Sequence, residues 1–223
     1  MATIRAPANK LVVDASKTQF PSQMHVIVKD IFESTQDNSY YIGYVESGEC
    51  KVRYSGLEAK IGAGMYFGLN CGFKIETTGT LALFKRLEFQ GLNSIGGPLE
   101  AYGRQRYIDG CTSTLLIYPT LLGDCCFNLL FFPPNTVQTK HFHPSLRLGM
   151  VTAGSGYCHV NGTKMRLKKS DCFYLEENEE HYFSSEDESL TVVAFHPESD
   201  WGPTHEVHPM LNRTLFKKVK SSL

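Results

Sequence analysis

From Met24 onward the chain alternates apolar and polar positions in short runs: MHVIVKDIF, SYYIGYVESGECKVRYSG, LEAKIGAGMYFGLN, CGFKIETT and GTLALFKRLEF. β-Branched and aromatic residues fill these runs, Gly, Asn and Ser separate them, and no long stretch keeps a helical period. The pattern predicts an all-β protein. A stretch richer in Gly and polar residues follows, QGLNSIGGPLEAYGRQRYIDG, and reads as a linker with one short helix around Pro98 to Tyr102. Beyond it the strand pattern resumes in STLLIYPTLL, CCFNLLFFPP, GYCHVNGTKMRLKKSDCFYLEE and SLTVVAFHPES. Residues 1 to about 25 read as an irregular arm or first strand. The stretch after Pro197 reads as an ordered tail, because Trp201, Met210, Leu211 and Phe216 need cover from water.

The two patterned halves superpose at a constant shift of 106 residues, which sets Gly43 on Gly149, Val45 on Val151, Gly48 on Gly154, Gly64 on Ser170, Gly72 on Asn178 and Phe89 on Phe195. A repeat of this length predicts two β units, residues 1–95 and 115–223, joined by a linker over 96–114. At 223 residues the chain has ample length to bury their cores.

The chemistry concentrates in NTVQTKHFHPSLRLGMVTAG, Asn135 to Gly154, around His141-Phe142-His143. On a strand, side chains at i and i+2 project the same way, so two imidazoles could share one metal ion while Phe142 faces the opposite layer. Arg147 would then lie on the same strand face, about 13 Å further along, and Gln138 would face away. A third histidine, His181, stands in a second stretch, SDCFYLEENEEHYFSS. Two satisfied interior histidines would be the plainer account of an isolated HxH; the third, at a matching distance, favours a metal site. Under the same shift Thr35 meets His141, Asp37 meets His143, Tyr41 meets Arg147 and Ile75 meets His181, so the first half is expected to carry no site.

These two stretches resemble the motifs of the cupin superfamily, G-x5-H-x-H-x(3,4)-E-x6-G and G-x5-P-x-G-x2-H-x3-N. Asn135 takes the first Gly slot, His141 and His143 the HxH, Arg147 the Glu slot and Gly154 the closing Gly; Ser170, Glu176, Asn178, His181 and Ser185 take the slots of the second motif. Asn is a natural stand-in for Gly where a turn needs positive φ. Arg147 is the departure that matters, because a guanidinium has no lone pair for a cation. The resemblance implies two tandem cupin barrels (double-stranded β-helix, or jelly-roll) and a metal held by His141, His143 and His181, Fe(II) first among Mn, Ni, Zn and Cu. Three-histidine cupin sites look like those of thiol and diketone dioxygenases, which implies an Fe(II)-dependent dioxygenase acting on a small anionic molecule, with Arg147 either anchoring a substrate carboxylate or pairing with a nearby acid such as Asp171 or Glu176. For Tyr174, Tyr182 and Phe183 aromatic core packing is the plainer account; the alternative is that they wall the pocket, with Tyr174 able to act as a general base. The competing readings are an O2-independent isomerase, lyase or hydrolase using the same ligands, and a non-enzymatic ligand-binding bicupin.

Charge removes other classes. Lys plus Arg number 22 against 23 Asp plus Glu, which leaves no basic field for nucleic acid and no cationic amphipathic stretch for a membrane surface. The N-terminus lacks the apolar core of a signal peptide. Seven cysteines (Cys50, Cys71, Cys111, Cys125, Cys126, Cys158 and Cys172) stand without CxxC spacing and read as buried thiols of a cytoplasmic protein. A homodimer with a small-molecule substrate is the expected state. His159, on a hairpin closed by Asn161-Gly162, is given no role, His196 reads as a barrel-edge histidine, and His205-x-x-His208 as structural.

Overall fold

The computed structural model describes residues 3–5, 10–34, 36–121 and 123–199. The first part of the chain gives β1 (Thr3–Arg5), β2 (Lys10–Ala15), β3 (Ser22–Val28), β4 (Ile31–Glu33), β5 (Ser39–Ser47), β6 (Glu49–Tyr54), β7 (Leu57–Gly62), β8 (Tyr66–Asn70), β9 (Phe73–Thr77) and β10 (Thr80–Leu87). The rest gives β11 (Ser94–Gly96), β12 (Gln105–Arg106), a one-turn 3₁₀ helix (Ile108–Gly110), β13 (Thr112–Ile117), β14 (Cys126–Phe132), β15 (Arg147–Val160), β16 (Thr163–Lys168), β17 (Asp171–Leu175), β18 (His181–Ser184) and β19 (Leu190–His196). The expected helix at Pro98–Tyr102 does not form. Instead β11 pairs with β8 and β12 with β13, so the connecting stretch extends the sheets on either side of it.

In the first half a six-stranded sheet, β11-β8-β5-β10-β3-β2, closes over a four-stranded sheet, β4-β9-β6-β7. In the second, β15 is long enough to serve two layers: Arg147 to Met150 pair with β17, and Ser155 to Val160 pair with β16. Its neighbours β19, β14, β13 and β12 complete the larger layer, while β16 and β18 flank its far end. Inside each half lies an apolar core, Val52, Phe67, Ile75 and Leu83 in the first and Val151, Phe173, Phe183 and Val192 in the second. A third core lies between the halves, where Met24, Ile42 and Phe84 meet Phe127, Leu148 and Phe195.

This third core explains the runs without alternation. In β10, Leu81 and Leu83 face the inner core while Ala82 and Phe84 face the other half, so both sides are buried and the strand reads as a continuous apolar run. Phe84 stacks on Phe195 with centroids 5.8 Å apart and planes at 14°. Each half also repeats one close approach: a Cβ on Gly43 would come within 2.1 Å of Phe67 Cζ, and one on Gly149 within 2.1 Å of Phe173 Cζ. A ring lies over the glycine in both.

The repeat register needs one correction. Gly43 pairs with Phe67 as Gly149 pairs with Phe173, so the shift of 106 holds through β5/β15 and β8/β17. It fails in the next strand: Val52 pairs with Ile75, but its counterpart Cys158 pairs with Phe183. The residue equivalent to His181 is therefore Phe73, not Ile75, and that equivalent to Phe195 is Phe84, not Phe89. Two extra residues between β17 and β18 move the register at His181, and three more between β18 and β19 move it again at Phe195, so a single constant shift cannot absorb both. β1 pairs with β17, so the first residues of the chain join the second half's sheet. Thr35 and the tail residues Trp201, His205, His208, Met210, Leu211 and Phe216 lie outside the described residues.

Candidate metal centre

His141 does not sit on a regular strand. It forms a single bridge to His181, with His141 N to His181 O at 3.0 Å and His181 N to His141 O at 2.8 Å, inside a segment that runs antiparallel to β18. Gln138 N to Phe183 O, Ser185 N to Thr136 O and Asn178 N to His143 O, at 3.0, 2.9 and 2.8 Å, zip the same segment to its neighbours. The expected backbone logic holds at the turns: Asn135 and Asn178 both have φ of 58°, and Ser170 has 69°, so three non-glycine residues adopt the left-handed conformation that the Gly slots call for.

The three imidazoles converge. One nitrogen from each of His141, His143 and His181 lies within 4.8 Å of the other two, and the ring centroids are 4.6 to 5.1 Å apart. His141 Nδ1 donates to Thr139 O at 2.8 Å and His181 Nδ1 to Glu179 O at 2.7 Å. A carbonyl can only accept, so Nδ1 carries the proton and Nε2 keeps its lone pair for an ion. Burial pushes the pKa of each of the three below its ordinary value, that of His181 to about 3; Arg147 lowers all three further, and neighbouring histidines lower His143 and His181. Neutral imidazole is the form a metal requires. The donor set therefore fits one divalent transition ion with three neutral nitrogens, leaving other positions open. Among the described residues this is the one cluster of three or more ligating side chains.

Phe142, expected to face an opposite layer, is 57% exposed instead. Because the chain bends at Pro144–Ser145 before β15 begins, Arg147 is not displaced along a shared strand but lines the same cavity as the histidines. It is 3% exposed. Its Nη1 donates to Ser145 O, Ser145 Oγ and Leu146 O at 3.0, 2.6 and 3.0 Å, and Ser145 Oγ donates on to Glu198 at 2.7 Å. The guanidinium thus fixes the bend that presents the histidines.

Tyr174 is a correction. Phe173 and Leu175 line the cavity, so the residue between them points to the opposite face of β17, where Tyr174 packs against the core between the halves. Gln138 is also corrected: it lines the cavity, with Oε1 accepting from Phe183 N at 3.2 Å. One polar residue, Asn128, escaped the sequence reading, and another, His196, was read only as a barrel-edge histidine. Asn128, fully buried on β14, and His196, at the end of β19 with its ring 6.3 Å from that of His143, both face the cavity. The only hint of Asn128 was one amide in an apolar run, CCFNLLFF. His159 stacks on Tyr182 at 4.2 Å, away from the cavity.

The first half shows what replaces the site. At the equivalent place Tyr41 packs edge to face with Phe32 and Phe73, the three ring centroids 5.0 to 6.2 Å apart, and Lys85 pairs with Asp37 across the Tyr41 ring. Aromatic rings fill the space that imidazoles line in the second half.

An all-β architecture of two such halves, with three histidines converging in one of them, is the cupin barrel fold. Solved structures bear out the fold. A cupin 2 conserved barrel domain protein from Leptotrichia buccalis matches with TM-score 0.61 and 17% identity over 87% of this chain and 91% of its own. Salicylate 1,2-dioxygenase from Pseudoaminobacter salicylatoxidans matches with TM-score 0.59 and 11% identity over 79% and 67%, and Bacillus subtilis oxalate decarboxylase, described for its Mn(II) centres, with 0.57 and 11% over 90% and 76%. The AraC-like ligand binding domain family model matches residues 133–220, the part that carries the histidines. No curated protein matches the chain.

Proposed function

We propose that this chain is a metal-dependent cupin enzyme of the Fe(II) dioxygenase type, acting on a small anionic molecule, with His141, His143 and His181 as the metal ligands. The observation that carries the reading is the convergence of three imidazoles, His181 buried and His141 and His143 half-buried, two of them locked by Nδ1 hydrogen bonds with Nε2 left for an ion. When bound, the ion would supply Lewis acidity and one-electron chemistry toward O2. The residues around it do the rest: the histidines hold the ion with no ligand charge, Arg147 contributes a fixed positive charge that favours an anionic ligand, and the walls of Phe173, Phe183 and Leu130 exclude water. The dioxygenase and the Mn(II) decarboxylase among the similar folds are consistent with this class of chemistry. Seven free cysteines suit a cytoplasmic setting. Among the described residues no helix is long and apolar enough to cross a membrane.

A specific observation favours a second reading, binding without turnover: the family model matched over residues 133–220 is a ligand-binding one. Oxygen uptake by Fe(II)-reconstituted protein against a panel of thiols, diketones and phenols separates the two. Substrate-dependent O2 consumption lost in His143→Ala supports the enzyme; metal-loaded protein that binds members of the panel and consumes no O2 supports the binding module.

A further inference from the structure

Asn128 is 0% exposed on β14, and its side chain lines the cavity that the three histidines share. Its amide nitrogen faces His196 Nε2 at 3.4 Å, and since an amide NH2 can only donate, that nitrogen of His196 is the acceptor. Asn128 Oδ1 is buried with no hydrogen-bond partner in the protein. A buried carbonyl left unpaired is costly, and protein interiors rarely leave one so. The cavity amounts to about 30 Å³, enough for an ion and on the order of one or two water-sized groups. Leu130, Phe132, Phe173, Leu175 and Phe183 line the apolar part of the wall, and Asn128 Oδ1 is an unmet acceptor among the polar groups that face the imidazoles.

We infer that Asn128, oriented by His196, is a donor-reading residue: the ligand of this cavity is a small anion that carries a hydroxyl or amine next to its metal-binding oxygen and donates that hydrogen to Asn128 Oδ1. The inference rests on the proposed metal site and narrows its substrate class. Arg147 and an ion bias the cavity toward negative charge, and Asn128 adds the demand for a donor beside that charge. A site that hydrogen-bonds a ligand hydroxyl discriminates strongly against the analogue that lacks it, because its own polar group is then left buried and unpaired. His196 acts through Asn128 as a positioning residue, accepting from Nδ2 so that Oδ1 is the atom turned to the ligand.

The test uses Co(II)-loaded full-length protein, with glycolate and acetate as probes, followed by visible absorption and calorimetry. Glycolate can chelate an ion without help, so the informative quantity is the glycolate-to-acetate affinity ratio in wild type relative to Asn128→Ala. The ratio should be about tenfold larger in wild type, with metal content and acetate affinity unchanged in the variant. Equal ratios would overturn the inference. Should Asn128→Ala not fold, wild type is compared with methoxyacetate, which keeps the oxygen but has no hydrogen to donate. It should bind about tenfold more weakly than glycolate, and equal binding overturns the inference. Failure of wild type to take up Co(II) at all would sink the metal-site reading and this inference together; uptake without discrimination would sink this inference alone.

Discussion

At the scale of single residues, the site depends as much on hydrogen bonds behind the imidazoles as on the imidazoles themselves. Arg147 shows the point most plainly, since one of its nitrogens reaches three oxygens of Ser145 and Leu146. Arg147→Lys keeps the charge but replaces the rigid, longer guanidinium with a shorter, flexible stem that does not hold a nitrogen at these oxygens, and should lower stability by about 1–3 kcal/mol. Urea unfolding reads this; an unchanged midpoint would mean that the bend before β15 holds without the guanidinium. Tyr174→Phe should leave metal content and turnover as in wild type, because its hydroxyl faces away from the cavity. A drop in either would put Tyr174 back in the site. The histidines were legible in the sequence because HxH spacing and a third histidine at motif distance survive whatever the backbone does locally. Asn128 and His196 were not, because their relation is created by strand pairing between β14 and β19, and one amide in an apolar run carries no directional signal. The place of Arg147 was misjudged for a different reason: the motif was laid on a regular strand, and the bend at Pro144–Ser145 brings the side chain back.

At the scale of elements, the left-handed turns set where the ligands fall. Asn178, with φ of 58°, donates its N–H to His143 O at 2.8 Å, so the conformation of this turn positions a metal ligand. Asn178→Gly should be tolerated, whereas Asn178→Val should cost about 1–2 kcal/mol and weaken metal binding by disturbing His143. Thermal unfolding and metal titration of the two variants check this, and a Val variant with wild-type metal affinity would contradict it. Here the sequence was a good guide, since Asn in a Gly slot has a physical meaning that does not depend on the fold around it. The repeat was read well through β5 and β8 and then lost, because the connections before β18 and before β19 are longer than those before β9 and β10, and the residues slide by two positions at β18 and by five at β19. Phe73, which stands where His181 stands in the second half, offers no more of a donor than Ile75.

At the scale of the whole molecule, the two halves are bound by the core between them. Phe84 and Phe195 stand at equivalent places and stack on each other, with Phe127 5.5 Å from Phe84. Phe84→Ala should cost about 3–5 kcal/mol and should destabilise both halves together, giving a single transition at a lower midpoint. Two separated transitions would mean that the halves are held independently. The same core explains why strand alternation was hard to read in β10 and β19: a strand buried on both faces has no polar side to alternate with.

The central claim is that His141, His143 and His181 hold one divalent transition ion. Elemental analysis of protein purified without chelator, in wild type, His141→Ala and His181→Ala, tests it directly, with circular dichroism to confirm that each variant folds. The account predicts about one ion per chain in wild type and loss of it in both variants, because three neutral ligands leave little redundancy when one is removed. Equal metal content in all three folded proteins, or none in wild type after loading with Fe(II), Mn(II) and Co(II) in turn, would contradict it.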